Sequence, residues 1–207
     1  GAVIKANAYG LGVAGVAPAL ASAGADSFFV ATLEEATEVK ARAPGATVYV
    51  LNGIFPGAAA AMIECGAVPV LSSLPEVAEW GQAAPSRQQP LPCALHVDTG
   101  LNRLGLSAAE LQQLAANMHL LDRLDVKLVM SHLACADEPG HQKNQQQREI
   151  FERLQPLLPS VPLSLAASDG VMLGRHFHYD IVRPGYALYG GQAVAERPSP
   201  VKPVVEA

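Results

Sequence analysis

The chain has 207 residues, half of them hydrophobic and 16% charged, with a net charge of -5. That balance excludes a basic field that would recruit nucleic acid or anionic lipid, and no apolar stretch runs uninterrupted for the length of a membrane-spanning helix. Cys65, Cys93 and Cys135 are odd in number, far apart and in no C-x-x-C spacing, which suits a reduced, cytosolic protein with incidental thiols.

In chain order, short apolar β-rich runs alternate with Ala/Leu/Glu-rich helical stretches. Strands are predicted at 2–4, 27–31, 47–51, 67–71, 91–97, 126–130, 162–166 and 180–183. Helices are predicted near 13–23, 33–42, 56–65, 74–84, 107–119 and 140–157, and a short element follows Ser168. Ser107-Ala-Ala-Glu110 has the spacing of a capping box, and Pro56 is placed in the first turn of the third helix. Eight strand–helix units imply a parallel sheet closed into a (β/α)8 TIM-type barrel. An open doubly wound sheet is the alternative, but no G-x-G-x-x-G or Walker-type loop follows the first strand. The barrel is expected to occupy residues 1–198, with Arg197-Pro-Ser-Pro200 as its exit. Residues 199–207 then start a linker. The first residues are already mid-strand and 201–207 begins a new β-like run, so a piece of a longer protein, truncated at both ends, is expected.

In such a barrel the reactive groups gather where strands end and βα loops begin. Lys5 and Tyr9 follow the first strand, in the run Lys5-Ala-Asn-Ala-Tyr-Gly10. An amine ending a buried strand is partly desolvated, which favours the free base and imine chemistry; a snorkelling strand-end lysine is the plainer alternative. Asp98-Thr-Gly-Leu-Asn-Arg-Leu-Gly105 follows the fifth strand, Ser131-His132 the sixth and Ala166-Ala-Ser-Asp-Gly170 the seventh. Val182-Arg-Pro-Gly-Tyr-Ala-Leu-Tyr-Gly190 closes the eighth. Together they describe a rim with an amine, two guanidiniums, an imidazole and several hydroxyls, suited to an anionic, aromatic, carbonyl-bearing ligand. The glycines flanking Arg103 suit close backbone approach to a ligand. His176-Phe-His178 with Asp180 scans weakly as a metal site, against polar residues leading into the last strand. His141–Arg148 reads as the solvated opening of a helix.

These motifs, in this order and spacing over nearly the whole chain, closely resemble alanine racemase. The resemblance implies pyridoxal 5′-phosphate (PLP) held as a Schiff base on Lys5, which also acts as one of two acid/base groups at the substrate Cα. It implies Tyr9, Ser168, Gly185 and Tyr186 at the cofactor phosphate, and Arg183 at the pyridine nitrogen. Arg103 falls near the phenolic oxygen and the substrate carboxylate, His132 against the ring, and Leu51 as an apolar wall. A guanidinium is effectively always protonated, so Arg183 would leave the pyridine nitrogen an acceptor and the ring a weaker electron sink.

The resemblance also implies a cytoplasmic bacterial enzyme that interconverts L- and D-alanine, a small amino-acid substrate, for peptidoglycan. It implies a C-terminal β domain that begins at 199–207 and is absent here, and a homodimer whose second base, a tyrosine, comes from the partner's C-terminal domain, so the 207 residues alone would racemise weakly or not at all. The chain departs from the pattern at His96, where many relatives carry a carbamylated lysine seven residues before the arginine, and at Ala167, where an asparagine is common. The rivals are a serine or broad-range racemase, a non-catalytic PLP-binding barrel, and a PLP-free barrel acting on sugar phosphates.

Overall fold

The computed structural model describes residues 1–86, 88–194, 198 and 200–204. Seven parallel strands form one sheet in sequence order: β1 (Ala2–Val3), β2 (Ser27–Val30), β3 (Thr47–Val50), β4 (Val68–Leu71), β5 (Leu91–His96), β6 (Leu124–Met130) and β7 (Leu163–Ser164). The helices are α1 (Lys5–Tyr9), α2 (Val13–Ser22), α3 (Leu33–Arg42), α4 (Ala59–Cys65), α5 (Leu74–Ala83), α6 (Ala108–Ala116), α7 (Gln142–Leu154) and α8 (Ser168–Met172). Sequential order with every pair parallel is barrel topology, as the alternation of elements predicts. None of the described helices is long and apolar enough to cross a membrane.

The predicted eighth strand is the main departure. Segment 180–184 makes one parallel bridge, Ala167 to Arg183, and no ladder. The amides of Asp180 and Ile181 both donate to the Leu163 carbonyl, and the Arg183 amide donates to Ala166 O. On the other side Val3 N donates to Pro184 O and the N-terminal amine to Val182 O. The segment therefore joins β7 to β1 and closes the ring without regular geometry. The reason is local. Pro184 has no N–H to donate, Tyr179 is left-handed at φ 51°, and side chains occupy ladder sites. Asp180 Oδ2 accepts from Leu163 N at 2.8 Å, and Ser164 Oγ donates to Ile181 O.

Both sheet faces are buried, so the strands read as near-continuous apolar runs. Alternate residues separate two cores. Val3, Phe29, Tyr49, Val70, Ala94, Leu128 and Met130 fill the barrel interior. Phe28, Val30, Val48, Val50, Leu71 and Leu95 face the helices. Phe29 and Tyr49 are register partners and stack with centroids 4.7 Å apart.

Helix α3 has the bounds read from the sequence, and the capping box Ser107/Glu110 forms at α6. A second box, Thr32/Glu35, starts α3, and Ser73 caps α5. Pro56 does not enter the third helix. It sits in a turn before α4, which starts only at Ala59, because Gly57 takes φ 82°. The predicted domain boundary at 198/199 and the end of the 201–207 run fall partly outside the described residues, and 201–204 contains no strand.

Phe29→Ala should cost about 3–5 kcal/mol, because it empties the barrel interior and strands the Tyr49 ring. Urea unfolding midpoints of the variant and parent will read that loss.

Candidate functional site

The C-terminal strand ends enclose a cavity of about 370 Å³. All nine residues singled out from the sequence line it: Lys5, Tyr9, Leu51, Arg103, His132, Ser168, Arg183, Gly185 and Tyr186. Its wall also includes His96, Asp169 and Asn52, while Val3 and Met130 of the interior core form part of its floor.

Lys5 and Tyr9 are delivered by an unusual turn. From Ala6 to Tyr9 four consecutive residues are left-handed, with φ between 51° and 55°. Such a conformation disfavours L-residues by about 1–2 kcal/mol each, so the turn persists only because its surroundings hold it. Ala8 N bonds Ile4 O, Gly10 N bonds Ala6 O, and Asn7 Oδ1 accepts from Val13 N at 2.8 Å. Gly10 and Gly12 then leave the turn at φ 89° and 93°. The reversed hand carries Tyr9 back across the cavity mouth. There its ring tilts against Tyr189, 5.6 Å away, and its hydroxyl lies over Gly185. A Cβ on Gly185 would overlap that hydroxyl, so this glycine is required by close approach. Burial raises the Tyr9 pKa, leaving a protonated donor at neutral pH.

Arg183 is 2% exposed. Its guanidinium donates to Ser164 Oγ at 2.5 Å and to the Ser131 carbonyl at 2.7 Å, with His132 Nδ1 and the Leu165 carbonyl each 3.5 Å away. Asp180, the carboxylate nearest Arg183 in sequence, accepts from Leu163 N instead. Burial lowers the Arg183 pKa to about 9, which still leaves the group charged at neutral pH.

The two imidazoles respond to that charge. Burial first, then Arg183, lowers His132 to about 3 and His96 to about 4, with Arg103 adding to both and Lys5 adding to His132. Both rings are therefore neutral at physiological pH. His132 uses Nδ1 as the acceptor facing Arg183, while His96 Nε2 is buried on the cavity wall with no partner among the described residues. The site is a cationic well with neutral aromatic donors, which favours an anion.

At the opposite side, Ser168 is buried and its Oγ accepts from the amides of Gly185, at 2.9 Å, and Ala187, at 3.3 Å. With both lone pairs engaged, the hydroxyl proton is left to donate to a further acceptor. Tyr186 donates its hydroxyl to Asp169 Oδ1. Leu51 follows β3 and packs on the interior core.

Arg103 is exposed at the rim, on a loop shaped by Asp98, whose carboxylate accepts from the Gly100 and Asn102 amides. The glycines beside Arg103 serve the chain itself rather than a ligand. A Cβ on Gly105 would overlap backbone at Val97 and Asp98, and Gly100 faces Gln147 and Lys143.

The polar run 141–148 is also only half solvated. Asn144 and Gln147 are buried, and Gln147 accepts from Ala134 N while donating to His132 O and Thr99 Oγ1. It fixes the loop that carries His132. Spacing gave a signal for this, since 144, 147 and 151 share the buried face of α7. His178 and Asp180 bond the backbone at Val171 and Leu163, and no metal-binding group of three or more acidic, His or Cys side chains occurs among the described residues.

The buried neutral histidines make stability depend on pH. Their folded pKa values lie below the 6.5 of the unfolded chain, so the unfolded state takes up protons first as pH falls. Stability should be full above pH 6.5 and drop between pH 6.5 and about 4, by roughly 1.4 kcal/mol per pH unit for each ring. Urea midpoints at several pH values should show the slope roughly halved in His132→Gln.

Comparison with known proteins agrees with this geometry. Residues 1–193 match the family model described as alanine racemase, N-terminal domain. The alanine racemase of Methylobacterium nodulans is 51% identical over 204 residues, covering 99% of this chain and 55% of the relative. A protein named alanine racemase, catabolic, from Mesorhizobium japonicum is 47% identical, covering 98% and 54%. A crystal structure of alanine racemase from Bartonella henselae with covalently bound pyridoxal phosphate superposes with a TM-score of 0.93 at 39% identity, covering 98% of this chain and 59% of that one. The chain thus spans about half the length of the curated relatives it matches. It belongs to the alanine racemase family, matching that family's N-terminal domain.

Proposed function

We propose that the chain is the cofactor-binding part of a PLP-dependent alanine racemase. The observation that carries the reading is the well itself: Lys5 faces two guanidiniums and two neutral imidazoles, opposite a cradle of hydroxyl and amide donors. These residues fit PLP. The Tyr9 and Ser168 hydroxyls and the Tyr186 amide would hold its phosphate beside Gly185, whose own amide is given to Ser168 Oγ, and Leu51 and His132 would flank its ring. Arg103 would meet its phenolic oxygen and the substrate carboxylate, and Lys5 would carry it covalently. The Bartonella structure, with its covalently bound pyridoxal phosphate, supports this assignment.

When bound, PLP supplies the electron sink that makes the substrate Cα–H acidic. This chain's residues supply the rest. Lys5 holds and returns the Cα proton on one face. Arg183 keeps its protons at neutral pH, so a ring nitrogen facing it stays an acceptor and electron withdrawal stays modest. His132, being neutral, adds no cation beside the ring. The second proton carrier is proposed to be a tyrosine from the C-terminal domain of a partner subunit, which makes the working enzyme a homodimer in the cytoplasm. The proposed product role is D-alanine for peptidoglycan; the Mesorhizobium relative's name adds a catabolic use as a second reading.

Borohydride reduction in the presence of PLP, followed by peptide mass analysis, should place a pyridoxyl group on Lys5. Lys5→Ala in the intact protein should lower kcat for alanine by about 10²–10⁴-fold. Kinetics on alanine against serine will separate an alanine enzyme from a broad-range one, and strong racemisation by these 207 residues alone would contradict the partner tyrosine. An unlabelled Lys5 would sink the cofactor assignment.

A further inference from the structure

The left-handed turn that presents Lys5 needs an anchor at its start, and the turn's own bonds do not provide one for Ala6. The Ala6 amide, the first N–H after Lys5, donates to Glu35 Oε1 at 2.7 Å. The other oxygen of the same carboxylate accepts from Ala31 N at 2.7 Å and from Thr32 N at 3.4 Å. Ala31 follows β2 and lines the same cavity as Lys5. One side chain thus clamps the exit of β1 to the exit of β2, one peptide away from the lysine. We infer that Glu35 is a positioning residue that aims Lys5 into the cavity, an inference that rests on the cofactor reading above.

Two features separate this from ordinary helix capping. Glu35 does cap its own helix with Thr32, yet a cap needs only the bonds within residues 31–35. The bond to Ala6 crosses 29 residues and lands on a segment whose φ values are all positive. Nearby geometry also shows what an equivalent glutamate does elsewhere. Glu110 forms the same box with Ser107 and reaches back to Leu74 N at 3.3 Å, at the start of α5, where no residue lines the cavity through that contact. Glu110 is therefore a matched control: the same cap and the same reach, without Lys5 at the far end. The carboxylate acts through backbone direction. Without it the Ala6 peptide is free to leave the left-handed well, and the Lys5 Cα–Cβ direction turns with it.

The test uses the whole chain, PLP as the probe, and borohydride trapping read by peptide mass. Glu35→Ala should label Lys5 ten- to a hundredfold more slowly, roughly the effect of an ångström-scale misplacement. Label on the exposed lysines Lys127 and Lys202 should not change. Glu110→Ala should lose comparable thermal stability and label Lys5 at the parent rate. Glu35→Gln keeps the size with a single acceptor oxygen, so it should fall between parent and Glu35→Ala; it also decides the matter if the alanine variant does not fold. Equal labelling of Lys5 in the parent and both Glu35 variants would overturn the inference. Hydrogen exchange at the Ala6 amide needs no cofactor. It should be slow in the parent, faster in Glu35→Gln and fastest in Glu35→Ala, and a fast amide in the parent would equally overturn the clamp. A parent that takes no label on Lys5 while its Ala6 amide stays protected would instead reject the cofactor reading.

Discussion

A guanidinium shut inside a barrel must find acceptors or unfold the barrel around it, because an unsolvated and unbonded charge is prohibitive. Arg183 finds them in Ser164 Oγ, in the Ser131 carbonyl and at Nδ1 of His132. These partners are all neutral, so the charge is bonded but not cancelled. Much follows from that. Burial together with this charge keeps both nearby histidines neutral, and the irregular closing segment is tied to β6 and β7 through one side chain. The amide of the same residue joins Ala166, so closure of the ring and the charge of the site depend on one position.

The mouth of the barrel is stiffened by a repeated local device. Thr32-x-x-Glu35, Ser73-x-x-Glu76 and Ser107-x-x-Glu110 each cap a helix. Each glutamate also reaches toward an earlier βα unit: Glu35 to Ala6, Glu110 to Leu74, and Glu76 into the space beside Gly53. Gly53, at φ 69°, leaves room for that carboxylate where any side chain would collide with it. Loops over an active site are normally the mobile part of such a fold. Here the loop after β1 is pinned to the loop after β2 by the Glu35 carboxylate, and both loops line the cavity.

The sequence reveals much of this and hides some of it, for identifiable reasons. Strands buried on both faces read clearly because Phe28-Phe29-Val30 and Val48-Tyr49-Val50 are apolar throughout. The nine residues fall on one cavity because each sits in a segment that leaves the C-terminal edge of the barrel. The closing segment reads as a strand because Ile181 and Val182 carry β preference, whereas Pro184 and the side-chain bonds of Asp180 and Ser164 override it. The left-handed turn is invisible in Ala6-Asn-Ala-Tyr9, where alanines favour the ordinary hand; only Asn7, Gly10 and Gly12 hint at it. Gln147 and Asn144 look solvated because a glutamine-rich run is usually a surface. Their burial depends on backbone groups of the His132 loop that no local pattern contains.

The central claim is that Arg183 keeps its charge and its protons, so that a nitrogen placed against it remains unprotonated. The most direct measurement is the ¹⁵N chemical shift of ring-labelled PLP bound to the protein at neutral pH. A shift in the range of an unprotonated, hydrogen-bond-accepting pyridine is predicted. A shift in the pyridinium range would mean that the buried guanidinium does not set the state of its neighbour, and the account would fail.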